Sequence, residues 1–295
     1  MKKFTKVMAA ALAGVMLMSM IGCNKGGGEA PAPSAGGETP AAAEIKTAVD
    51  GKLTWATSAD FPPYEFIEND AIVGIDAEVM AYVAEKLGLE SAPENMDFSS
   101  VITAVSTGKT DLAASGITIK EDRLESVDFT TPYVTTSQVV IVRFDSPIKN
   151  ANELDGKKVG VQLNTTGQDY VEENYKDAAV ERYSKGYEAV EALKQKKIDA
   201  VVIDSDTADK FIEADDDLIK LDQILTEEEY AFAVQKGNSA LLDAVNGVLA
   251  EMKESGKLDE IINKYKAEEE APAEGETTAD GASAEEAATE AVPAA

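Results

Sequence analysis

Val101-Ile102-Thr103-Ala104-Val105-Ser106-Thr107-Gly108-Lys109-Thr110-Asp111-Leu112-Ala113-Ala114-Ser115 carries an apolar helical stripe at 101, 102 and 105, breaks at Gly108, and resumes as a short apolar strand after Asp111. The same unit returns 88 residues later. There Ala189, Val190 and Leu193 repeat the stripe, Lys197 and Asp199 match Lys109 and Asp111, and Ala200-Val201-Val202-Ile203 is a second buried strand. A helix-turn-strand unit used twice predicts an α/β protein with two lobes built alike, each of about 100 residues.

Working outward, Leu53–Thr57 reads as the first strand, and Ile75–Leu87 as a packed helix ended by Gly88. Ser137–Val142 is a strand expected to cross from the first lobe to the second, and Tyr230–Val234 the return. Residues 240–252 and 257–265 read as two amphipathic helices that pack back on the first lobe. Lobe 1 is therefore expected over 52–142 and 231–266, and lobe 2 over 143–230. The cleft between them is the default ligand site, because loops at strand ends of both lobes converge there.

Composition limits the chemistry. The 295 residues are 44% hydrophobic and 28% charged, enough apolar content for a packed core. With 55 acidic and 27 basic side chains the net charge is -28, which repels nucleic-acid phosphates and anionic lipid headgroups. There is no histidine, so Ser-His-Asp or Cys-His catalysis and His-ligated zinc are excluded. The single cysteine excludes an intrachain disulfide. No cofactor and no metal are implied.

Residues 1–23 read as a secretion signal: Lys2, Lys3 and Lys6 precede the uncharged run Val7–Gly22, too short to span a bilayer. Ile21-Gly22-Cys23 resembles the lipobox of bacterial lipoproteins, which makes Cys23 the implied lipid (palmitate) attachment site. A signal peptide cut elsewhere is the alternative. Residues 24–51, rich in Gly, Ala, Pro and Glu, read as a flexible tether with a reach of about 30 Å. Residues 267–295 carry nine acidic side chains and no basic ones, and read as a disordered tail.

Arg123 follows Ser115-Gly116-Ile117-Thr118, and its guanidinium fork suits a carboxylate, although a surface ion pair with Glu121 or Asp122 would also explain it. Thr118-Ile119-Lys120-Glu121 fits a capping box, as does Thr165 with Gln168 after the strand Lys158–Val161. A helix start after a parallel strand is an anion site by geometry, or else a plain turn. Asp204 ends the second repeat strand, where it faces the cleft as a cation site or serves as one more solvated acid. Phe61, Tyr64 and Phe66, with Phe98, wall a pocket or join the core.

Together, Asp97-Phe98-Ser99, Gly108-Lys109-Thr110-Asp111, Ser115-Gly116-Ile117-Thr118-Ile119 with Arg123, Asp128-Phe129-Thr130-Thr131-Pro132-Tyr133, Gly156-Lys157-Lys158-Val159-Gly160-Val161 and Asp204 resemble, in order and spacing, the polar amino-acid-binding proteins of ABC importers. The resemblance covers about residues 52–266. It implies a two-lobed type II periplasmic-binding-protein fold that closes on a free amino acid and delivers it to a permease and its ATPase, as a monomer held at the outer face of the bacterial cytoplasmic membrane by Cys23. Carried over by position, Arg123 grips the ligand carboxylate with Thr118 and the Thr166 end of a helix. Asp204 takes the ammonium, with the Gly116 carbonyl, and Phe61 and Phe98 sandwich the ligand. Ser58, Ser115 and Gln162 set side-chain selectivity.

Two departures from the family pattern bear on the ligand. Ser58 stands where many members have aspartate, which points to a neutral polar ligand such as glutamine, while nearby Asp60 keeps a basic ligand open. Lys120 stands where the family has threonine. Two other functions fit the same scaffold: a cyclohexadienyl-dehydratase-like enzyme, and a ligand-sensing surface protein.

Overall fold

The computed structural model describes residues 45–266. The expected signal segment with Cys23, the tether up to residue 44 and the tail 267–295 lie outside the described residues. Residues 45–51, assigned above to the tether, are docked on the body. Ala48 N donates to Asp111 Oδ1 at 2.6 Å, and Ile45 packs against the first core. Asp111 also accepts Thr54 N and Thr54 Oγ1, so one buried carboxylate ties this segment to the first strand. Low apolar content hid that attachment, because it is made by a backbone donor.

Eight α-helices occur among the described residues: α1 (Ile75–Lys86), α2 (Phe98–Ser106), α3 (Glu121–Leu124), α4 (Thr166–Asn174), α5 (Gly186–Lys194), α6 (Ser205–Glu213), α7 (Ser239–Ser255) and α8 (Lys257–Lys266). None is long and apolar enough to cross a membrane. They cover two sheets. The first sheet runs in the order Glu90–Asn95, Lys52–Thr57, Leu112–Ala113, Ala233–Gln235, Val127–Phe129. The second runs Ala179–Tyr183, Lys158–Gln162, Ala200–Asp204, Val134–Arg143, Leu218–Lys220, with Thr226–Tyr230 also paired to Val134–Arg143. In each sheet three neighbouring strands are parallel and the next is antiparallel to them.

Both sheets are buried on both faces, which is why their central strands are unbroken apolar runs. In lobe 1 Leu53 and Trp55 face α1, α7 and α8, while Ala56 and Ala113 face Val101 and Val105 of α2. The two C-terminal helices thus pack on the first lobe, with Leu241, Val245, Leu249 and Ile261 in its core. In lobe 2 Val140 and Val142 face one core and Val139 and Ile141 the other.

That two-sided burial corrects the crossing. Val134–Arg143 lies wholly in the second sheet, so the chain changes lobes at Thr130–Tyr133, and residues 134–142 belong with lobe 2. A strand covered on both faces is a sheet centre and cannot also serve as a linker. The return runs through Ala231 and Phe232, between Thr226–Tyr230 in one sheet and Ala233–Gln235 in the other. The two connections lie side by side: Thr130 N donates to the Phe232 carbonyl at 3.0 Å and Tyr133 N to the Tyr230 carbonyl at 2.9 Å. Tyr133 and Phe232 stack at 4.4 Å.

Candidate functional site

Loops leaving the carboxyl ends of Lys52–Thr57, Leu112–Ala113, Lys158–Gln162 and Ala200–Asp204 meet in one cavity between the sheets. This is the position where an open α/β sheet offers backbone groups and helix starts to a ligand. All ten residues singled out for ligand contact line it: Ser58, Phe61, Phe98, Ser115, Gly116, Thr118, Arg123, Gln162, Thr166 and Asp204. They come from positions up to 146 residues apart in the chain, so the fold alone assembles them.

Arg123 sits in the short helical turn α3 and is buried. Its Nη1 donates to the Thr118 carbonyl at 2.9 Å, and its Nη2 reaches across to the Asn164 carbonyl of lobe 2 at 3.0 Å. The guanidinium lies over the Phe98 ring at 5.5 Å, a cation–π contact that fixes its plane. The ion pair with Glu121 or Asp122 is not what holds the side chain, although Asp122 Oδ1 accepts the Arg123 backbone N–H.

Thr118 does not cap α3. Its Oγ1 donates to Glu228 Oε2 at 2.7 Å, and α3 starts after Lys120 without a side-chain cap. Lys120 instead crosses the cleft to Asp169 of α4 at 2.6 Å. The second capping assignment stands in part: Thr165 Oγ1 accepts Gln168 N, but Gln168 Oε1 accepts the N–H of Asn164 and not that of Thr165. Thr166 then opens α4 with its first-turn N–H groups toward the cavity end.

Asp204 is neither solvated nor free. Its Oδ1 caps α6 by accepting the N–H groups of Asp206 and Thr207, and its Oδ2 accepts Thr136 Oγ1 at 2.5 Å and Tyr230 Oη at 3.0 Å. Burial, more than these bonds offset, pushes its carboxyl up to about 7.

At the far end of the cavity Ser58, Ser115 and Gln162 are each engaged by neighbouring groups. Ser58 Oγ donates to Asp60 Oδ1 at 2.6 Å, and Lys185 from lobe 2 bonds both. Asp60 is thereby engaged outside the cavity lining, and does not reach in as the sequence allowed. Ser115 Oγ donates to Glu65 Oε1 at 3.0 Å. Gln162 Nε2 donates to the Ser184 carbonyl at 3.3 Å.

Glu65 is a charged lining residue that the sequence motifs do not single out. It is fully buried, lines the cavity, and its Oε2 receives no donor. The carboxyl of Asp76 lies close enough to act on it electrostatically; Asp76 itself accepts Gly116 N at 3.0 Å and Tyr133 Oη at 2.5 Å. Burial first, and then the charge of Asp76, push the Glu65 carboxyl well above the ordinary range, and burial pushes Asp76 to about 6. The available signal was an acid between two aromatics, Tyr64-Glu65-Phe66, in a strand-end loop.

Two sheet-centred lobes joined by two adjacent connections, with a cavity between them that is lined by aromatic rings and by Arg123, Glu65 and Asp204, define a solute-capturing protein. Residues 53–268 match the family model for bacterial extracellular solute-binding proteins, family 3, and the chain belongs to that family. It is 34% identical over 222 residues to the arginine-binding extracellular protein ArtP of Bacillus subtilis, covering 72% of this chain and 86% of that one. A crystal structure of a mutant of ArgBP from T. maritima is 41% identical with a TM-score of 0.72, covering 74% of this chain and 96% of that one. An ancestral amino acid-binding protein described as a precursor of cyclohexadienyl dehydratase is 32% identical with a TM-score of 0.69, covering 73% and 96%.

Proposed function

We propose that this chain is the capture component of an ABC importer, taking a free α-amino acid with a cationic side chain, of the arginine class, between its lobes. Arg123, with Thr118 and the Thr166 end of α4, receives the α-carboxylate. Asp204 and the Gly116 carbonyl receive the α-ammonium, Phe61 and Phe98 wall the aliphatic stem, and Ser58, Ser115 and Gln162 shape the far end. Cys23 anchors the protein outside the membrane, where it works as a monomer beside its permease and ATPase.

The observation that carries the ligand class is the charge of the lining: Arg123 is its sole cation, against Glu65 and Asp204. A zwitterion satisfies Arg123 and Asp204 and leaves Glu65 unpaired; a cationic side chain pairs it. This moves the choice away from glutamine, which the missing acid at Ser58 had favoured. The arginine-binding names of the relatives point the same way.

Contacts made from both lobes exist only when the cleft is shut, so ligand binding draws the lobes together. A shift from 1:99 to 99:1 takes about 5.5 kcal/mol, within the roughly 8 kcal/mol of a micromolar complex. A thermal-shift screen of the twenty amino acids tests the reading, since a ligand at about 100 times its Kd adds about 2.7 kcal/mol of stability. Arginine should give the largest shift. A larger shift with glutamine would restore the neutral-ligand reading. A buried Glu65 whose carboxyl is raised above the ordinary range also suits a general acid, and the dehydratase precursor among the relatives supports that second reading. Product from arogenate or prephenate would establish it.

A further inference from the structure

One side chain of lobe 2 ends inside lobe 1. Lys185, just before α5, donates through Nζ to Ser58 Oγ at 3.0 Å and to the Met96 carbonyl at 3.3 Å, and lies 3.4 Å from carboxylate oxygens of both Asp60 and Asp97. The next residue adds a backbone bond, Gly186 N to Asp60 Oδ2 at 3.1 Å. All these oxygens come from lobe 1: three from Ser58 and Asp60, just after its first strand, and two from Met96 and Asp97, leading into α2. Ser58 and Asp60 are also bonded to each other, so lobe 1 presents them as one unit.

We propose that lobe 1 carries a preformed ammonium cage, and that insertion of Lys185 into it is the clamp that holds the cleft shut over a captured ligand. The proposal rests on the capture reading and is independent of which amino acid is captured. An ammonium has three N–H donors and no acceptor, so a cluster of oxygens with at least one full negative charge is its natural site. Two other lysines cross the cleft, Lys120 to Asp169 and Lys266 to Asp206, with side-chain exposures of 31% and 41%, and 30% and 21%. Lys185 and Asp60 are less exposed, at 20% and 8%. Exposed pairs are screened and contribute little, whereas a half-buried pair with several bonds is broken in full when the lobes part. Opening therefore has to extract Lys185, which slows ligand escape and leaves ligand encounter with the open cleft untouched.

The test is stopped-flow kinetics of L-arginine on the full chain, or of whichever of the twenty amino acids gives the largest thermal shift if arginine gives none. Lys185→Met keeps the apolar stem and removes the charge. Its dissociation rate should rise about tenfold, the loss of one charge-assisted contact, with the association rate within twofold of wild type. Raising the salt from about 0.05 M to about 1 M should speed dissociation in the wild type and change it little in the variant. In Lys185→Ala, methylammonium should refill the cage and slow dissociation, measured against sodium at equal ionic strength. A Lys185→Met dissociation rate within twofold of wild type overturns the clamp, and faster dissociation that methylammonium leaves unchanged overturns the cage. Absence of binding by every amino acid overturns both the capture reading and this one. Loss of arginine binding alone, with the Lys185 effect intact for another ligand, rejects the ligand class and supports the clamp.

Discussion

Arg123 donates across the cleft to the carbonyl of Asn164 at 3.0 Å, so the guanidinium that faces the cavity is also a bridge between the lobes. The same side chain is held from below by the Thr118 carbonyl and by the Phe98 ring. A group fixed on two sides, with the rest of its fork turned to the cavity, is prearranged for a bidentate anion.

Replacing Arg123 by lysine should therefore weaken amino-acid binding about 100-fold or more, because a point ammonium cannot keep both the carbonyl bridge and a forked carboxylate contact. The fold should persist, since the helical turn it belongs to is short and peripheral to both cores. Calorimetry giving near wild-type affinity for Arg123→Lys would remove the residue from the ligand contacts.

Glu65→Gln should lower affinity for arginine by about tenfold or more and spare glutamine, since the amide keeps the shape and drops the charge. The pH dependence has a definite sign. Burial and the nearby Asp76 raise the Glu65 carboxyl in the free protein, so it keeps its proton to a higher pH than an exposed glutamate, while a bound cation favours the ionised form. Arginine binding thus releases a proton, and affinity rises with pH until the raised value is passed. Titrations in two buffers of different ionisation enthalpy read the proton directly. Heats that agree between buffers would rule out ionisation of Glu65 on binding.

Folding carries Asp204 from 3.8 to about 7 and Asp76 from 3.8 to about 6, burial being the largest cause in each. Between about pH 4 and about pH 7 the folded chain binds more protons than the unfolded one, so stability falls as pH rises through that window. The unliganded protein should melt higher at about pH 5 than at about pH 8. Asp204→Asn keeps a cap on α6 and removes the titration, so its melting temperature should vary less with pH. Parallel pH profiles for the two proteins would show that Asp204 does not contribute.

Gly116 has φ +52°, and a Cβ there would lie 2.8 Å from Phe61 Cε1 and 3.2 Å from Tyr230 Cε2. Gly116→Ala combines about 1–2 kcal/mol of left-handed backbone strain with displacement of the Phe61 ring into the cavity. Ligand affinity should drop more than stability does. A variant that binds as wild type would show that the Phe61 wall yields freely.

Much of this protein is legible along the chain. The repeated unit at Val101–Ser115 and Ala189–Asp204 announces two lobes, and the period of Ile75–Leu87 and of the two last helices announces what covers them. Ten of the sixteen residues that line the cavity are candidates already in the sequence, because they sit at strand ends and in motifs that resemble a known family in order and spacing. Failures have a common cause. Ser137–Val142 reads as a strand crossing between the lobes, whereas the strand Val134–Arg143 that contains it lies in the second sheet, because an apolar run does not say which sheet pairs with it. Thr118 was taken for a cap because a local pattern fits, while its partner Glu228 lies 110 residues away. Glu65 looked like one acid among many until burial removed its water.

Local pattern and composition by themselves determined the α/β class, the two-lobed plan, the exclusion of histidine chemistry and the strand ends at which a site would form, because these depend on periodicity and residue type. Only the tertiary structure decided that Lys185 pairs with Asp60, that Asp204 is already bonded on both oxygens, and that Glu65 is an acid without a cation. Those outcomes turn on which groups meet after the lobes close and how little water stays between them, and no stretch of chain carries that information alone.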